Sequence, residues 1–299
     1  MRAAVYTQTG DPAEVLSVTE VEDPHAGPGQ VRIAVRAAGV NPIDWKIVRG
    51  MTGRSPDAPT VPGIDAAGVV DEVGEGVTGV QVGDAVFGHA SGGSAAEYAV
   101  LSAWAPKPDA TSFEVAGGLP VAGETAVRVL DLLGLQPGQT VVVDGASGGV
   151  GIAAVQVALA RGLRVIGTAG EANQDFVRSL GAQPTQHGPG LVERVRELAP
   201  DGVHGGVDTA GKGSVRDLIE LTGDPATVVT IADFGAAELG VHVTSGGGNL
   251  APRLAQIADL LAADRLQMPI AGTYPLERIG AAYAESQRGH VRGKLVLIP

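Results

Sequence analysis

The sequence predicts an α/β fold class built from two domains, a β domain and a doubly wound parallel sheet. Short β-type runs with glycine and proline turns fill the first 110 residues or so. Beyond Gly123, apolar β-branched runs alternate with helical patterns, as in a parallel sheet covered by helices. The closing run resembles the first domain. We therefore predict one domain at 1–123, completed by 267–299, and a second at 124–266.

The first domain contains three clear strand patterns, at Val31–Ala37, Gly68–Val73 and Ala96–Val100. Turns such as Gly83-Asp84 separate them. Short strands at this spacing favour a barrel or a sandwich.

The second domain alternates strands and helices. We predict strands at 140–143, 163–167, 206–208 and 226–232, helices at 149–161, 173–180 and 249–263, and a closing strand at 294–298.

Composition excludes several classes of function. The 299 residues include 45 glycines but no cysteine, which excludes disulfides, thiol nucleophiles and cysteine-ligated metals. The formal charge of −12, without a basic block, argues against nucleic acid as a partner. No run approaches the roughly 18–20 apolar residues of a membrane span, and the first residues lack a signal core. We expect a cytoplasmic protein with no membrane partner.

A glycine cluster between a buried-type strand and a helix is the strongest local signal. Its residues are Gly145, Ala146, Ser147, Gly148, Gly149, Val150 and Gly151. Glycines let a dinucleotide pyrophosphate approach the backbone, and the helix N-terminus offers N–H groups with partial positive charge. The alternative is an ordinary glycine-rich turn between strand and helix.

The next strand bears on the choice of cofactor. NAD-binding sheets carry an acidic residue about 20 residues beyond the glycine loop. Here Thr168 and Gly170 occupy that place, followed by Asn173, and none of them is acidic. We therefore predict NADP(H), although no lysine or arginine lies at 171–174 to meet its 2′-phosphate.

Several segments, in this order, resemble the medium-chain dehydrogenase/reductase superfamily, in its zinc-independent quinone oxidoreductase and enoyl reductase branch. They are AAGVNPIDWK at 37–46, PGIDAAGVV at 62–70, VGDAVFG at 82–88, the segment 123–151 and GHVRGKLVL at 289–297. The resemblance implies a GroES-like β domain, a Rossmann domain, an active site in the cleft between them, and a homodimer. Zinc-dependent relatives carry Cys and His where this chain has Asn41 and Ile64, so no metal is expected.

The resemblance also implies hydride transfer to a quinone or to the C=C bond of an α,β-unsaturated carbonyl compound. Asn41 is then a candidate donor to the carbonyl oxygen or to the nicotinamide ribose, with Pro42 beside it. Asp44 would orient that group, and Lys46 is the nearby cation. An alternative is turn chemistry, since Asn and Asp near proline favour turns.

Four further residues are candidate cofactor contacts by position in the family. Thr125 is one, although it also fits a helix N-cap. Ile231 and Ala232 end a strand at the carboxyl edge of the sheet, and His187 lies where many relatives carry Tyr near the adenosine end. The segment Gly246–Asn249 is either a lid or a helix start capped by Asn249.

These observations leave three functional hypotheses. The first is an NADPH-dependent reductase of quinones or enones. The second is a discrete enoyl reductase that acts on carrier-bound or thioester enoyl chains. The third is a non-catalytic NADP(H) sensor. It is suggested by Trp45, which lies where many relatives carry an aromatic or hydroxyl-bearing side chain, so that the usual Tyr acid is not evident.

Overall fold

The computed structural model describes residues 1–53 and 55–299. They form two compact units, one of Met1–Val121 with Asn249–Pro299 and one of Ala122–Gly248. We call them the first and second unit. This division differs from the predicted one at 249–266, because the helix Ala251–Ala262 packs against the strand Tyr98–Pro106 of the first unit.

The strands, in chain order, are β1 (Arg2–Val5), β2 (Ser17–Glu20), β3 (Val31–Val40), β4 (Asp65–Val73), β5 (Ala85–Ala90), β6 (Tyr98–Pro106), β7 (Thr140–Asp144), β8 (Arg164–Ala169), β9 (Gln183–Gln186), β10 (Gly205–Asp208), β11 (Val228–Thr230), β12 (His242–Val243), β13 (Ile270–Pro275) and β14 (Lys294–Ile298).

The helices are α1 (Pro12–Val15), α2 (Pro42–Val48), α3 (Phe113–Gly118), α4 (Pro120–Leu133), α5 (Gly149–Ala160), α6 (Gln174–Ser179), α7 (Leu191–Leu198), α8 (Val215–Thr222), α9 (Ala251–Ala262) and α10 (Ile279–Gln287).

The main sheet of the first unit has the order β13-β14-β3-β4-β5-β6, and β3 also pairs with β6. That extra pairing closes β3 to β6 into a barrel-like ring, as predicted. Pairings are antiparallel apart from β13 with β14. The core includes Ile33, Leu101, Leu295 and Tyr283, so α10 and the C-terminal strand complete the first unit.

The second unit contains one sheet in the order β12-β11-β10-β7-β8-β9, and every neighbouring pair is parallel. This is the doubly wound order of a Rossmann domain, with the first strand of the unit, β7, at its centre. All five residues of β7 are buried, which explains its unbroken apolar run Val141–Val143. The predicted fold class is confirmed.

Some predicted boundaries are corrected. β3 continues to Val40, because Ala38 and Gly39 pair with Ala66 and Asp65 of β4. Helix α9 begins at Ala251 with Leu250 as its N-cap, so Asn249 is not the cap. Within residues 1–53 and 55–299, no helix combines the length and apolar character needed to cross a membrane.

Candidate functional site

One edge of the parallel sheet gathers most of the predicted cofactor residues. The glycine loop leaves β7, Gly170 follows β8, His187 follows β9, and Ile231 and Ala232 follow β11. Because the strands are parallel and adjacent, their carboxyl ends meet at the same edge. This edge is where ligands bind in open α/β sheets.

The glycine loop has the geometry of an anion cradle. A Cβ atom at Gly151 would lie 2.1 Å from the Gly145 carbonyl oxygen, so the loop folds tightly over the start of α5. A Cβ at Gly148 would meet only that same oxygen, at 3.5 Å, and the outer side of the loop is open.

Gly148 caps α5 without a side-chain hydrogen bond. Among the described residues, no hydrogen bond engages the N–H groups of Gly149, Val150 or Gly151. Three N–H groups without partners at the positive end of a twelve-residue helix fit the pyrophosphate of a dinucleotide.

A buried polar network fixes the loop from below. Thr168 donates to Oδ1 of Asp144, and Ser214 donates to Oδ2 over 2.7 Å. The Thr168 hydroxyl also accepts from the Gly145 N–H at 3.2 Å. Thr168 is fully buried, so its hydroxyl holds the glycine loop and does not face the cofactor side. A contact between Thr168 and the cofactor would have to come from its backbone.

A second network positions Ile231 and Ala232. Asp208, fully buried at the end of β10, accepts from the Thr230 hydroxyl at 2.6 Å. Thr230 in turn accepts from the N–H groups of Ala232 and Asp233. The turn after β11 is therefore tied to the turn after β10.

The turns after β8 and β9 lie side by side. A Cβ atom at Gly170 would come within 4.0 Å of Nε2 of His187, its nearest neighbour. Gln174 donates to the carbonyl oxygens of Ala169 and Thr185 and joins the two turns. Arg194 donates to the carbonyl oxygens of Gln186, Gly188 and Pro189. His187 thus lies exposed on a braced turn beside Gly170, and Asn173 caps the following helix α6.

Thr125 lies inside α4, which begins at Pro120, so the N-cap interpretation of Thr125 is wrong. Its hydroxyl donates to Glu124 at 3.2 Å and accepts from Arg128 at 3.1 Å. Arg128 pairs with Glu124 at 3.3 Å and donates to the hydroxyl of Thr244, just beyond β12. Glu124, Thr125 and Arg128 are all buried. The hydrogen bond from Arg128 to Thr244 ties α4 to the carboxyl edge of the sheet.

The first unit contains a second candidate site, around Asn41. Asn41 is the N-cap of α2, Pro42 is its first residue, and Asp44 accepts from the Asn41 N–H at 2.8 Å. Asn41 and Asp44 thus have the local structural role that the turn alternative predicts. The same helix start brings the two side chains together, as the candidate site requires. Both residues are buried, and Oδ1 of Asp44 has no hydrogen-bond partner among the described residues.

Lys294 and Asp65 complete this buried cluster. Lys294 donates to Oδ1 of Asn41 at 2.5 Å and to the Val40 carbonyl at 2.9 Å. Nδ2 of Asn41 donates to Oδ2 of Asp65 at 2.8 Å. The other Asp65 oxygen accepts from the Val121 N–H at 2.8 Å. Two carboxyl groups and one amine therefore lie together out of contact with water.

Burial shifts the protonation equilibria of all three groups. It raises the pKa of Asp44 to about 7, because the charged form loses its hydration. Burial also raises the pKa of Asp65 and lowers that of Lys294. The attraction between these two charges opposes both shifts, since it lowers the pKa of Asp65 and raises that of Lys294, but burial is the larger effect. The charged and uncharged forms of Asp44 are thus both populated around neutrality.

Lys46 lies apart from this cluster. Its ammonium group lies over the Trp45 ring, 5.6 Å from the centroid. Trp45 donates to Ser286 of α10 at 3.2 Å, so it packs as part of the first unit. In residues 1–53 and 55–299, no hydrogen bond or ion pair joins Lys46 to Asn41 or Asp44. The cation beside Asn41 is Lys294 instead.

Two residues of these sites were not singled out in the sequence, Asp65 and Arg128. Asp65 lies within the quoted motif PGID, which offered a signal. Arg128 offered one through its i, i+4 spacing from Glu124 in an otherwise apolar helix. Within the described chain, no group of three or more His, Asp or Glu residues is placed to hold a metal ion.

Comparisons with known proteins agree with this architecture. Residues 27–109 match the family model described as alcohol dehydrogenase GroES-like domain, and residues 149–245 match the one described as zinc-binding dehydrogenase. A chloroplastic quinone-oxidoreductase homolog of Spinacia oleracea is 30% identical over 332 residues, covering 100% of this chain and 98% of that protein.

Two further relatives bear on function. A mycobacterial protein solved in complex with NADPH superposes with a TM-score of 0.88 at 27% identity, covering 100% of both chains. A spectinabilin polyketide synthase system protein of Streptomyces orinoci is 35% identical over 301 residues. That match covers 90% of this chain and 13% of the much longer synthase protein.

Proposed function

The chain belongs to the medium-chain dehydrogenase/reductase superfamily, in its quinone oxidoreductase branch, and on this basis we propose that it reduces quinones or enones without zinc. It is an NADP-dependent oxidoreductase. The proposed reaction is hydride transfer to a quinone or to the C=C bond of an α,β-unsaturated carbonyl compound. The absence of cysteine, with Asn41 and Ile64 at the positions of two zinc ligands, supports a reaction without metal.

The orientation of the Asn41 amide carries this proposal. Its oxygen accepts from Lys294, and one of its N–H groups donates to Asp65. At most one N–H remains for a ligand, so Asn41 is suited to donate to an oxygen atom. An N–H donor stabilises an oxygen on which negative charge develops, which is what the reduction of an enone requires.

When bound, NADPH supplies a hydride from its dihydronicotinamide ring. The Asn41 N–H would donate to the carbonyl oxygen of the substrate and stabilise the negative charge that develops there when the β-carbon accepts the hydride. Solvent would supply the proton of the α-carbon, which gives the saturated carbonyl compound and leaves the cofactor oxidised. With a quinone, the hydride and one proton together give the hydroquinone.

The second unit would hold the cofactor through the features of its sheet edge. The N–H groups of Gly149, Val150 and Gly151 would bind the pyrophosphate. His187, beside Gly170, would contact the adenosine end where the 2′-phosphate is attached. The Thr125 hydroxyl already donates once and accepts once, so it retains one acceptor position and suits a ribose hydroxyl better than a phosphate.

The test is turnover with purified protein. We expect oxidation of NADPH, followed by its absorbance, with cyclohexenone, acrolein or benzoquinone, and loss of most of that rate in the Asn41→Ala variant. Product analysis should show the saturated carbonyl compound or the hydroquinone. Activity that is abolished by a chelator and restored by zinc would contradict the metal-free mechanism. A folded protein that oxidises NADPH with none of the three acceptors would contradict the proposed substrate class.

A second candidate is an enoyl reductase that acts on thioester-bound or carrier-bound chains. The similarity to the polyketide synthase system protein favours it, since that match spans most of this chain. The two candidates differ in the substituent on the carbonyl carbon, a thioester sulfur in the second, and not in the hydride step. Reduction of crotonyl-thioester substrates with a kcat/KM well above that for the free enones would favour the second candidate.

We also propose a homodimer, as members of the family form. Light scattering of the purified protein should give about twice the 30.0 kDa mass of one chain.

A further inference from the structure

The side-chain amide of Asn41 is held on both sides, by a donor at its oxygen atom and an acceptor at its nitrogen atom. The Lys294 amine donates to Oδ1 at 2.5 Å and also to the Val40 carbonyl at 2.9 Å, so two of its hydrogens point at acceptors. The Asp65 carboxylate accepts from Nδ2 at 2.8 Å. A reversed amide would place N–H against amine hydrogens and oxygen against oxygen. The orientation of the amide is therefore fixed.

The fold fixes Lys294 itself. Strand β14 begins at Lys294, and its next residue, Leu295, pairs with Val40 at the end of β3. This register places the lysine beside Asn41, which directly follows β3. Helix α3 covers the lysine stem closely, since a Cβ atom at Gly118 would lie 3.2 Å from the Lys294 Cβ. The Lys294 side chain is 5% exposed and that of Asp65 is 0% exposed.

Such an arrangement is costly for stability alone. A buried amine loses its hydration, and an ion pair in the interior is often no more stabilising than apolar residues of similar volume. The Lys294 amine lies 3.8 Å from the Asp65 oxygen but only 2.5 Å from the Asn41 oxygen. Its closest partner is thus the amide, not the carboxylate.

We propose that Lys294 is a positioning residue for the reaction. Its hydrogen bond to Oδ1 of Asn41 keeps the amide turned so that an N–H group faces the substrate oxygen. This rests on the proposed function. The hydrogen bond from the amine also polarises the amide, which strengthens its N–H as a donor. The site then selects hydride acceptors whose oxygen gains negative charge, namely conjugated carbonyl compounds and quinones.

A double-mutant cycle tests this coupling. Lys294→Met should lower kcat with cyclohexenone by about tenfold, while the Kd for NADPH, measured by fluorescence, should change less than about twofold. In the Asn41→Ala background, Lys294→Met should cause no further loss, because the residue through which Lys294 acts is already missing. Lys294→Arg, which keeps donor groups at this place, should retain more kcat than Lys294→Met. Additive losses, or full kcat in a folded Lys294→Met variant, would overturn the proposal.

Lys107 provides the matched control. It is a partly buried lysine of the same unit that donates to two backbone carbonyl oxygens, those of Pro108 and Thr111. Lys107→Met should lower the melting temperature but leave kcat with cyclohexenone unchanged. An equal loss of kcat in both variants would mean that Lys294 acts only through stability.

A measurement on the unsubstituted protein covers the case in which Lys294→Met does not fold. The two side-chain N–H resonances of Asn41, assigned with an Asn41→Ser variant, should differ in exchange with solvent, and the one bonded to Asp65 should be protected. Adding NADP⁺ with cyclohexanone should shift the other resonance. If neither resonance responds although the protein reduces cyclohexenone, the positioning role is wrong; if the protein reduces none of the three acceptors, the proposed function fails independently.

Discussion

The Nζ atom of Lys294 lies 2.5 Å from Oδ1 of Asn41, across 253 residues of sequence. The contact joins the first residue of the closing strand to the N-cap of α2. It places an amine beside the amide that we propose binds the substrate oxygen. The C-terminal strand therefore contributes to the candidate site as well as to the sheet.

Asp44 should make the stability of the protein depend on pH. Its pKa is raised from 3.8 to about 7 by burial, so the folded state holds a proton that the unfolded state releases. Its contribution is complete below pH 3.8 or so and is lost as pH rises through about 7. The free energy of unfolding should fall by about 4 kcal/mol from this group over that range. Urea denaturation between about pH 4 and pH 8 measures the slope.

Asp44→Asn is the control for that slope, since the amide oxygen can still accept from the Asn41 N–H but the side chain does not titrate. The variant should lose less stability than the unsubstituted protein as pH rises from about 4 to about 7. Parallel pH profiles for the two proteins would refute the assignment to Asp44.

Side chains at Gly148 should block the cofactor without disturbing the fold. Gly148 has φ −83° and ψ 168°, which any residue adopts, and a Cβ there meets nothing closer than 3.5 Å. We expect the Kd for NADPH to rise in the order Gly148→Ala, Gly148→Val, Gly148→Phe. For Gly148→Phe the rise should be at least about tenfold, or about 1.4 kcal/mol of binding free energy. Fluorescence titration measures binding and thermal unfolding checks the fold. Equal affinity across the series would contradict the anion cradle.

Thr168→Val should destabilise the protein rather than alter its choice of cofactor. The substitution keeps the shape but removes a hydroxyl that donates to Asp144 and accepts from Gly145. A buried carboxylate deprived of one donor costs about 1–3 kcal/mol. Chemical denaturation should show this loss, whereas Thr168→Ser should show a smaller one. A change in the ratio of NADPH to NADH affinity, at unchanged stability, would instead place the hydroxyl on the cofactor.

His187→Ala should weaken NADPH binding more than NADH binding. His187 is exposed and is the nearest side chain to a Cβ placed on Gly170, where the 2′-phosphate is expected. We expect a several-fold rise in the Kd for NADPH and little change for NADH, measured by fluorescence titration. Gln186→Ala changes the exposed last residue of β9, next to His187, and should leave both values unchanged. Equal weakening of both cofactors would exclude a contact with the 2′-phosphate.

Local sequence predicted the elements whose signals are local. The buried run Val141–Val143, the glycine loop and the closing strand Lys294–Ile298 all occur where predicted. The N-cap alternative for Thr125 was wrong because α4 begins five residues earlier, at Pro120, and proline is itself common as the first residue of a helix. The helix α9 was grouped with the parallel sheet, although its buried side packs on β6.

The fold class, the glycine loop and the absence of cysteine ligands follow from the amino-acid sequence, because each depends on residue types or short spacings along the chain. The groups that surround Asn41 depend on how distant parts of the chain pack together. Strand register brings Lys294 and Asp65 to its amide, whereas Lys46, five residues away, turns onto the Trp45 ring. Helical geometry separates near neighbours onto different faces, and sheet pairing joins residues that are hundreds of positions apart.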